Sequence, residues 1–332
     1  MTMATTTAKT TVKANTREAL SSSPSPSSTS PSPPRKTSAE RKSGKLPTVA
    51  AGRFEVVRKL GQGAFSRVYE AYDTIGKRPC ALKVDQSGSK LKEPLVDYES
   101  RVMHELQGIV GVPDLLWTGD VTPPNRTTPL RCMALELLGA DLEEHRKGSK
   151  LSLKNATCLG YVILNVLKEI HARGFLHRDL KPSNIMLAPN DGGGAPRDRR
   201  RHAELFVVDF GLAKRFLNAD GSHIAMRKKN GVTGTPRYCS YRTHLGRESS
   251  RRDDLESLMY VVISLAQPLP WEGKRKNREI GDIKQRTPEA EVVPESRYLQ
   301  AALAYCKGLG FDETPDYTHV GKLLKRAYRE LG

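Results

Sequence analysis

Residues 174–187 read GFLHRDLKPSNIML, and this stretch guides the interpretation of the whole chain. Its flanks are apolar, but an acid, a cation and an amide lie between them: Asp179, Lys181 and Asn184. A buried polar group without a hydrogen-bond partner costs about 1–3 kcal/mol. A segment that served only as core would not hold three such groups so close together. We therefore infer that the stretch forms a functional loop.

A lysine and a glutamate earlier in the chain form a second pattern. Lys83 lies in the middle of the apolar run CALKV (80–84), which is typical of a strand. A helix is predicted to begin at Pro94, and the spacing i, i+4, i+7, i+11 predicts that one of its faces carries Leu95, Glu99, Val102 and Leu106. An inward-facing carboxylate needs a cation. We therefore predict an ion pair between Lys83 and Glu99.

Two further segments suit the binding of phosphate and of metal. GQGAF (61–65) lies between the predicted strands 54–60 and 67–73, and the backbone N–H groups of such a glycine turn can cover phosphates. Alone this pattern is weak, because an ordinary hairpin turn produces it as well. Asp209 follows the apolar run LFVV (205–208), which places its carboxylate at a strand end where a metal ion could be held.

Together these residues match the requirements of phosphoryl transfer from ATP. That reaction needs a glycine loop and a lysine at the phosphates, a carboxylate and an amide at Mg²⁺, and an acid near the attacking hydroxyl. These groups occur in the expected chain order as Gly61 and Gly63, Lys83 with Glu99, Asp179, Asn184 and Asp209. The motif H-R-D-L-x-x-x-N is matched by His177, Arg178, Asp179, Leu180 and Asn184.

The hydrophobic pattern predicts an α+β architecture, and 332 residues suffice for two lobes. Strands are expected at 54–60, 67–73 and 79–85, with apolar stretches at 115–117 and 132–138 completing a small sheet. After Gly139 the pattern becomes helical. Helices are expected at 153–173, 253–266, 296–307 and 316–330, with one strand at 204–210. We expect a small β-rich N-lobe at about 50–138 and a larger helical C-lobe at about 139–332.

Residues 1–49 differ in composition from the rest of the chain. The run SSSPSPSSTSPSPP (21–34) cannot bury apolar area and predicts disorder. Its Ser-Pro steps could accept regulatory phosphate, although a merely solvated tail is an equal alternative; they begin at Ser23, Ser25, Ser30 and Ser32. The Thr-rich, acid-poor first 17 residues also resemble an organellar transit peptide, which leaves organellar targeting open.

The amino-acid composition indicates what kind of partner the protein binds and in which cellular compartment it is found. The net charge is +17 and the isoelectric point is near 9.7, which favours negatively charged partners, although a solvated basic surface explains the charge as well. Five scattered cysteines without a C-x-x-C pair argue against a disulfide scaffold and a zinc site. No apolar run reaches the roughly 18 residues of a membrane span. We expect a soluble protein of the cytoplasm or nucleus.

The stretch from about 52 to 332 resembles the eukaryotic protein kinases, and within them the casein kinase 1 family. The similarity is most specific in LQGIVGVPDLLWTGD (106–120), LELLGADLEE (135–144) and GTPRYCSYRTHLGRESSRRDDLESLMY (234–260). Ordinary kinases carry an A-P-E tripeptide where this chain has Cys239 to Arg242. Ser66, in place of a third loop glycine, and the long insert at 188–203 depart from the family pattern. Neither departure removes a catalytic group.

The resemblance implies a bilobal protein-kinase fold and a Ser/Thr protein kinase that uses ATP and Mg²⁺. It makes Asp179, Lys181 and Asn184 catalytic, with Asn184 and Asp209 as metal ligands. It assigns Asp254 to the support of the catalytic loop. It assigns Arg251 and Lys274 to a substrate anion site that favours acidic or phosphorylated targets. The implied ATP contacts are Leu60, Gly61, Gln62, Gly63, Ala64, Val68, Ala81, Lys83, Glu99, Leu135, Glu136 and Leu138.

Two other classes of function remain as alternatives. Pseudokinases that act as binding scaffolds typically lose the strand lysine, the base or the metal acid, and this chain retains Lys83, Asp179 and Asp209. A nucleic-acid binder would explain the net charge, but the sequence has no recognition motif and no interleaved aromatic platform. We therefore expect protein substrates with acidic or phosphorylated sites, bound by a monomer that does not require nucleic acid.

Overall fold

The computed structural model describes residues 49–50, 52–63, 65–86, 94–122, 127–148, 150–189, 204–228 and 231–332. Three subjects of the sequence analysis lie outside the described residues: the tail up to residue 48, Ala64 of the glycine turn, and the insert from 190 to 203. The chain groups into two compact units. The sheet unit contains residues 49–107 and Pro113–Leu138, and the helical unit contains Gly108–Val112 and Gly139–Gly332.

The sheet unit is built on a six-stranded antiparallel sheet in the order β1-β2-β3-β4-β6-β5. The strands are β1 (Val49–Ala50), β2 (Phe54–Gln62), β3 (Ser66–Asp73), β4 (Arg78–Asp85), β5 (Leu115–Val121) and β6 (Leu130–Glu136). The predicted strands are confirmed. The sheet begins earlier than expected, because Val49 and Ala50, at the expected tail boundary, pair with Glu55 and Phe54.

One helix, α1 (Leu95–Glu105), packs against β4 and β6 of this sheet. Pro94 immediately precedes its first turn, as predicted, and Glu99 and Val102 are buried. The other face of the sheet forms a separate apolar core around Phe54, Tyr69 and Leu82. The helix therefore turns one carboxylate inward, towards β4.

Eight helices are found among the described residues of the helical unit. They are α2 (Leu142–Gly148), α3 (Leu153–Ala172), α4 (Tyr241–His244), α5 (Arg251–Ala266), α6 (Asn277–Arg286), α7 (Glu289–Val292), α8 (Arg297–Gly308) and α9 (Tyr317–Glu330). The four helices predicted in this unit, α3, α5, α8 and α9, are confirmed to within two residues at each end. The other four short or polar helices were not predicted.

Two short antiparallel ladders in the helical unit carry the loops of the candidate site. β7 (Phe175–Leu176) pairs with β10 (Lys214–Arg215), and β8 (Ile185–Leu187) pairs with β9 (Leu205–Val207). The strand predicted at 204–210 is therefore shorter than expected. It ends before Asp209 because Asp209 has a left-handed backbone conformation, with φ at 66°.

The centre of the helical unit is the contact between α3 and α5. A Cβ atom at Gly160 would lie 2.4 Å from Val262 Cγ2, so only glycine allows the two helices to approach this closely. α5 is buried along almost its whole length. No helix within the described ranges is both long enough and apolar enough to cross a membrane.

The segment Gly108–Val112 joins the helical unit although its neighbours in sequence belong to the sheet unit. Gly111 has φ at +94°, and a Cβ atom there would lie 2.5 Å from Val166 Cγ2 on α3. The Gly111 carbonyl accepts the N–H of Val207 at 2.8 Å. The segment therefore packs against α3 and extends the hydrogen bonding of β9.

Candidate active site

The loop between β7 and β8 holds Asp179 in a network of hydrogen bonds. Asp179 Oδ1 accepts from Thr235 N at 2.8 Å and from Thr235 Oγ1 at 2.7 Å. Asp179 Oδ2 accepts from Lys181 Nζ at 2.8 Å and from Asn184 Nδ2 at 3.4 Å. Both carboxylate oxygens are thus engaged. The structure brings the three polar residues of the opening stretch together, with Thr235 as a fourth member.

His177 connects this loop to the segment that precedes Asp209. Its Nδ1 accepts the N–H of Asp179 at 3.2 Å, which places the ring proton on Nε2. Nε2 then donates to the carbonyl of Val208 at 3.0 Å. The ring is fully buried and packs edge-on against Phe210. His177 therefore acts as a packing and hydrogen-bonding residue.

Asp254 of α5 supports the backbone of the loop from below. Its two carboxylate oxygens accept the N–H groups of His177 and Arg178, each at 2.8 Å. Arg178 has φ at 67°, a conformation that residues with side chains rarely adopt, and these bonds help to hold it. The predicted supporting role of Asp254 is confirmed.

Asp254 also belongs to a buried chain of polar groups. His171 lies 3.0 Å from Asp254 through Nε2 and 2.6 Å from the Tyr317 hydroxyl through Nδ1. Burial alone would raise the pKa of the Asp254 carboxyl. Interactions with His171 and with the backbone N–H of His177 together outweigh that effect and leave the pKa of Asp254 below its ordinary value. The chain links α3, α5 and α9 to the loop.

Asn184 and Asp209 lie at the same end of the β8–β9 ladder. The ladder pairs Ile185 with Val207, and Val208 N donates to the Asn184 carbonyl at 3.0 Å. Asn184 Nδ2 donates to the Asp179 carbonyl at 2.9 Å. This bond fixes the amide so that its side-chain oxygen Oδ1 is the atom suited to a cation.

These two residues suit Mg²⁺ by the chemistry of their donor atoms. Both offer oxygen, and Mg²⁺ in proteins is commonly held by one or two carboxylates together with substrate phosphates. Within the part of the chain that the structure describes, no group of three His, Cys, Asp or Glu residues is arranged to hold a metal ion. A cation here would therefore need further ligands from substrate and water.

The predicted ion pair is present in the sheet unit. Lys83 Nζ lies 2.6 Å from Glu99 Oε2 and 2.8 Å from Glu99 Oε1. The Glu99 side chain is 3% exposed and the Lys83 side chain 12%. Removing one partner of such a buried pair leaves an uncompensated charge, so each side chain fixes the other.

The strand register groups several of the implied ATP contacts on one face of the sheet. Val68 pairs with Lys83 and Ala81 pairs with Leu135, and residues that pair across strands or lie two apart share a face. All four are half-buried, whereas the neighbouring positions on the other face, such as Leu82, are buried in the apolar core. This face can therefore accept an apolar ring beside a cation.

The remaining implied ATP contacts lie at the two ends of this face. Gly61 and Gln62 end β2, Leu60 is exposed in a bulge, and Gly63 N donates to the Ser66 carbonyl at 2.8 Å. A Cβ atom at Gly61 would meet no protein atom within 4 Å. At the other end, Glu136 closes β6 and Leu138 follows it.

Arg251 and Lys274, the predicted anion pair, have different contacts in the structure, and their joint role stays a prediction. Arg251 donates to the Asp312 carbonyl at 2.7 Å and stacks over the Phe216 ring at 4.9 Å. Lys274 pairs with Glu279 at 2.9 Å and lines an open cavity that Arg251 does not line. Arg251 is therefore engaged in the packing at the start of α5.

The cavity beside Lys274 contains an arginine that the sequence analysis did not select. It has a volume of about 460 Å³ and is lined by Thr235, Pro236, Arg237, Trp271, Gly273, Lys274, Arg275 and Ile280. Arg237 contacts Glu272 and Lys274 pairs with Glu279, so three cations face two carboxylates around it. Thr235, which lines the cavity, also binds Asp179. The available signal was the place of Arg237 within the distinctive stretch 234–260.

A family model described as "Protein kinase domain" matches residues 54–305, which is more than half of the chain. The matched range includes both the Lys83–Glu99 pair and the loop around Asp179.

Proposed function

The chain belongs to the protein kinase family, and from this premise we propose that it is an active Ser/Thr protein kinase of the casein kinase 1 type. Family membership implies the use of ATP as phosphoryl donor and of proteins as acceptors. The observation that carries the proposal of activity is the hydrogen-bonded arrangement of Asp179, Lys181 and Asn184 around one carboxylate. The Ser/Thr specificity rests on the resemblance of residues 234–260 to the casein kinase 1 family.

In the proposed reaction, Asp179 orients the hydroxyl of the substrate and receives its proton. The hydroxyl oxygen forms a bond to the γ-phosphorus of ATP, the bond from that phosphorus to the β–γ bridging oxygen breaks, and ADP leaves. Lys181, already 2.8 Å from the Asp179 carboxylate, supplies positive charge for the phosphoryl oxygens. Thr235 keeps the carboxylate in the orientation that this step requires.

The sheet unit contributes contacts to the nucleotide. We assign Lys83, held by Glu99, to the phosphates and the half-buried face of Val68, Ala81 and Leu135 to the adenine ring. Gly61 suits the approach of a phosphate, because its missing side chain leaves room that a Cβ atom would fill. Mg²⁺, held by Asn184 and Asp209, would neutralise charge on the phosphates when bound.

The alternative of a pseudokinase scaffold is less well supported by the geometry. A scaffold needs neither a carboxylate that is hydrogen-bonded through both oxygens, as Asp179 is, nor an ion pair such as Lys83–Glu99. Both arrangements cost free energy because charged groups are removed from water. Five free, buried cysteines fit a reducing compartment, so we assign the kinase to the cytoplasm or nucleus.

We also propose that the kinase prefers acidic or phosphorylated sites, with the cavity beside Lys274 as the anion subsite. Arg237 replaces Arg251 in this proposal, because Arg237 and Lys274 line the same cavity. A phosphate carries about −1.5 to −2 charges, and a guanidinium can bind it with two parallel hydrogen bonds. Thr235 connects this subsite to Asp179, because Thr235 lines the cavity and its N–H and hydroxyl both donate to Asp179 Oδ1.

The activity is tested by incubating the protein with labelled ATP, Mg²⁺ and casein. Asp179→Asn should reduce transfer on the order of 10²–10⁴-fold, because the amide cannot accept the proton. Asp312→Asn makes the same chemical change at an exposed position and should leave transfer unchanged. Absence of transfer by the unaltered protein would favour the scaffold.

The preference is tested with matched peptides that carry or lack a phosphoserine upstream of the target. We expect kcat/KM to be about tenfold or more higher for the phosphorylated peptide, and the ratio should fall as salt is raised. Arg237→Ala should reduce the ratio, whereas Arg251→Ala should not. Equal values for the two peptides in the unaltered protein would refute the subsite.

A further inference from the structure

A buried lysine of α6, Lys284, lies directly beneath the turn that carries Arg237. The side chain is 1% exposed. Its Nζ donates to the carbonyl of Pro236 at 2.7 Å and to the carbonyl of Cys239 at 2.6 Å. The same nitrogen lies 3.3 Å from His244 Nε2. One ammonium group therefore binds the backbone at both ends of the turn 236–239.

Lys284 differs from an ordinary buried cation in its surroundings. Across the described residues, no carboxylate lies within ion-pair distance of its Nζ. The charge is instead surrounded by backbone carbonyl dipoles and by the rings of Tyr260 and Trp271, whose centroids each lie 5.0 Å from Nζ. Carbonyl dipoles and aromatic faces both stabilise a cation. The ammonium group is therefore stabilised by carbonyl dipoles and aromatic rings rather than by a neighbouring carboxylate.

Trp271 also binds the backbone of the turn 236–239. Its Nε1 donates to the carbonyl of Arg237 at 2.8 Å, and its ring packs edge-on against Tyr260. Three carbonyls of the turn, those of residues 236, 237 and 239, are therefore bound from inside the helical unit. The side chain of Arg237 is left on the cavity side.

A glycine in α6 allows the contact between Lys284 and the turn 236–239. Gly281 lies one turn before Lys284 on the same face of the helix. A Cβ atom at Gly281 would lie 2.5 Å from His244 Cβ, so glycine is needed for α6 to approach α4 this closely. The close approach places Lys284 within reach of the turn. Arg237 is therefore held between two anchors: Thr235, bound to Asp179, and the carbonyls bound by Lys284.

We propose that Lys284 is a positioning residue for the protein substrate. By holding the turn 236–239, Lys284 sets the distance between the cavity lined by Arg237 and the carboxylate of Asp179. The inference rests on the proposed function, since it assigns the binding of the substrate peptide to the turn 236–239. Lys284 touches neither ATP nor the substrate in this proposal. It acts through Arg237 and Trp271, so its loss alters the affinity for peptide and not the affinity for ATP.

The pKa of Lys284 provides a way to test this assignment. Burial lowers the pKa of Lys284 to about 8. The other titratable groups that face it change little near that pH. Burial raises the pKa of Cys239 to about 11, lowers that of His244 to about 4, raises that of Glu256 to about 6, and raises that of Tyr260 above its ordinary value. Lys284 is thus the group of this cluster that changes charge just above neutral pH.

The test compares Lys284→Met with Lys322→Met, which removes an exposed lysine of α9 as a matched control. Phosphoryl transfer gives KM for peptide and for ATP, and fluorescence anisotropy of a labelled peptide gives its affinity without catalysis. Lys284→Met should weaken peptide binding about tenfold, since two charge-assisted hydrogen bonds to the turn are lost. KM for ATP should not change, and the control should match the unaltered protein in every measurement.

A second readout reports on Trp271 directly. The chain has two tryptophans, and only Trp271 lies beside Lys284. The emission of the unaltered protein should titrate near pH 8, and this transition should be absent in Lys284→Met. If Lys284→Met does not fold, Trp271→Phe removes the hydrogen bond to the Arg237 carbonyl while it keeps an aromatic ring beside Lys284, and it should raise KM for peptide in the same selective way.

The outcomes separate the two proposals. Peptide affinity unchanged in Lys284→Met and in Trp271→Phe would overturn the role of Lys284, as would an equal rise in KM for ATP. Absence of phosphoryl transfer by the unaltered protein would refute the proposed function instead. In that case the anisotropy and fluorescence measurements would still decide whether Lys284 positions the turn for a peptide.

Discussion

Two lysines, the half-buried Lys83 of the sheet unit and the buried Lys284 of the helical unit, are stabilised in different ways. Lys83 is neutralised by a carboxylate, Glu99, at 2.6 Å. Lys284 is surrounded by two carbonyls and two aromatic rings, and the described residues place no carboxylate next to it. Both side chains are long, and both cost free energy to remove from water.

The difference indicates what each lysine can do. An ion pair leaves little net charge and fixes the ammonium at a defined point of a half-buried face, which suits a group that must meet a charged ligand. A cation bound by carbonyls instead fixes the backbone to which those carbonyls belong. Lys83 is suited to chemistry and Lys284 to the shape of a turn, and substitutions should separate these roles.

The largest effect is expected from Lys83→Met. Loss of the cation at the phosphates should lower kcat/KM on the order of 10²–10³-fold. It should also destabilise the fold by roughly 3–5 kcal/mol, because the buried carboxylate of Glu99 loses the cation beside it. Urea unfolding and initial rates measure the two quantities.

A double variant sharpens this result. Adding Glu99→Leu to Lys83→Met also removes the buried carboxylate that lost its lysine, so most of the lost stability should return while the rate stays low. If activity returned together with stability, Lys83 would be a structural residue like Lys284, and the contrast between the two would be lost.

An intermediate effect is expected from Glu99→Gln. The amide keeps the size of the side chain but weakens the hold on Lys83, so kcat should fall about tenfold. Peptide affinity should stay unchanged, in contrast to Lys284→Met. Steady-state kinetics with ATP and peptide varied separately check this prediction, and an unchanged kcat would contradict it.

The smallest effect is the pH dependence of peptide binding. Since the pKa of Lys284 is lowered to about 8 from 10.5 in the unfolded chain, the lysine loses its charge as the pH rises through 8. KM for peptide should therefore rise a few-fold between pH 7 and 9, relative to Lys284→Met, whose KM should stay flat.

The same titration should move stability in the opposite direction. Between pH 8 and 10.5 the unfolded chain binds the proton that the folded protein has released. The contribution of Lys284 to the free energy of unfolding should thus increase by roughly 1 kcal/mol per pH unit in that window. Unfolding of the protein and of Lys284→Met at several pH values gives the difference, and a decrease would contradict the assignment.

The sequence predicted the Lys83–Glu99 pair but gave no sign of Lys284. Lys83 interrupts an apolar strand, and Glu99 shares a helix face with apolar residues, so each breaks a local pattern. Lys284 lies in NREIGDIKQR (277–286), a polar stretch in which another lysine is unremarkable and in which no helix was predicted. Its burial is decided by Gly281 and by the approach of α4, which local periodicity does not contain.

The anion subsite is a second case in which the sequence pattern does not show which residues come together in space. Asp179 and Asn184 were predicted because a motif fixes their spacing, and Asp254 was predicted from the resemblance of its surroundings to the casein kinase 1 family. A choice between Arg251 and Arg237 as the partner of Lys274 requires knowledge of which basic residues meet in space. Arg251 binds the carbonyl of Asp312 and Arg237 lines the cavity, and the chain order of the two arginines does not distinguish these positions.

The excursion of Gly108–Val112 into the helical unit governs how this protein can be divided. A fragment cut at Gly139 would lack the carbonyl that accepts from Val207 and the backbone that covers Val166. That loss falls on β9, two residues before Asp209. A chimera that exchanges the helical unit must therefore carry its own version of this segment within the host's sheet unit, and the two units have to be inherited and engineered as interleaved pieces of one chain.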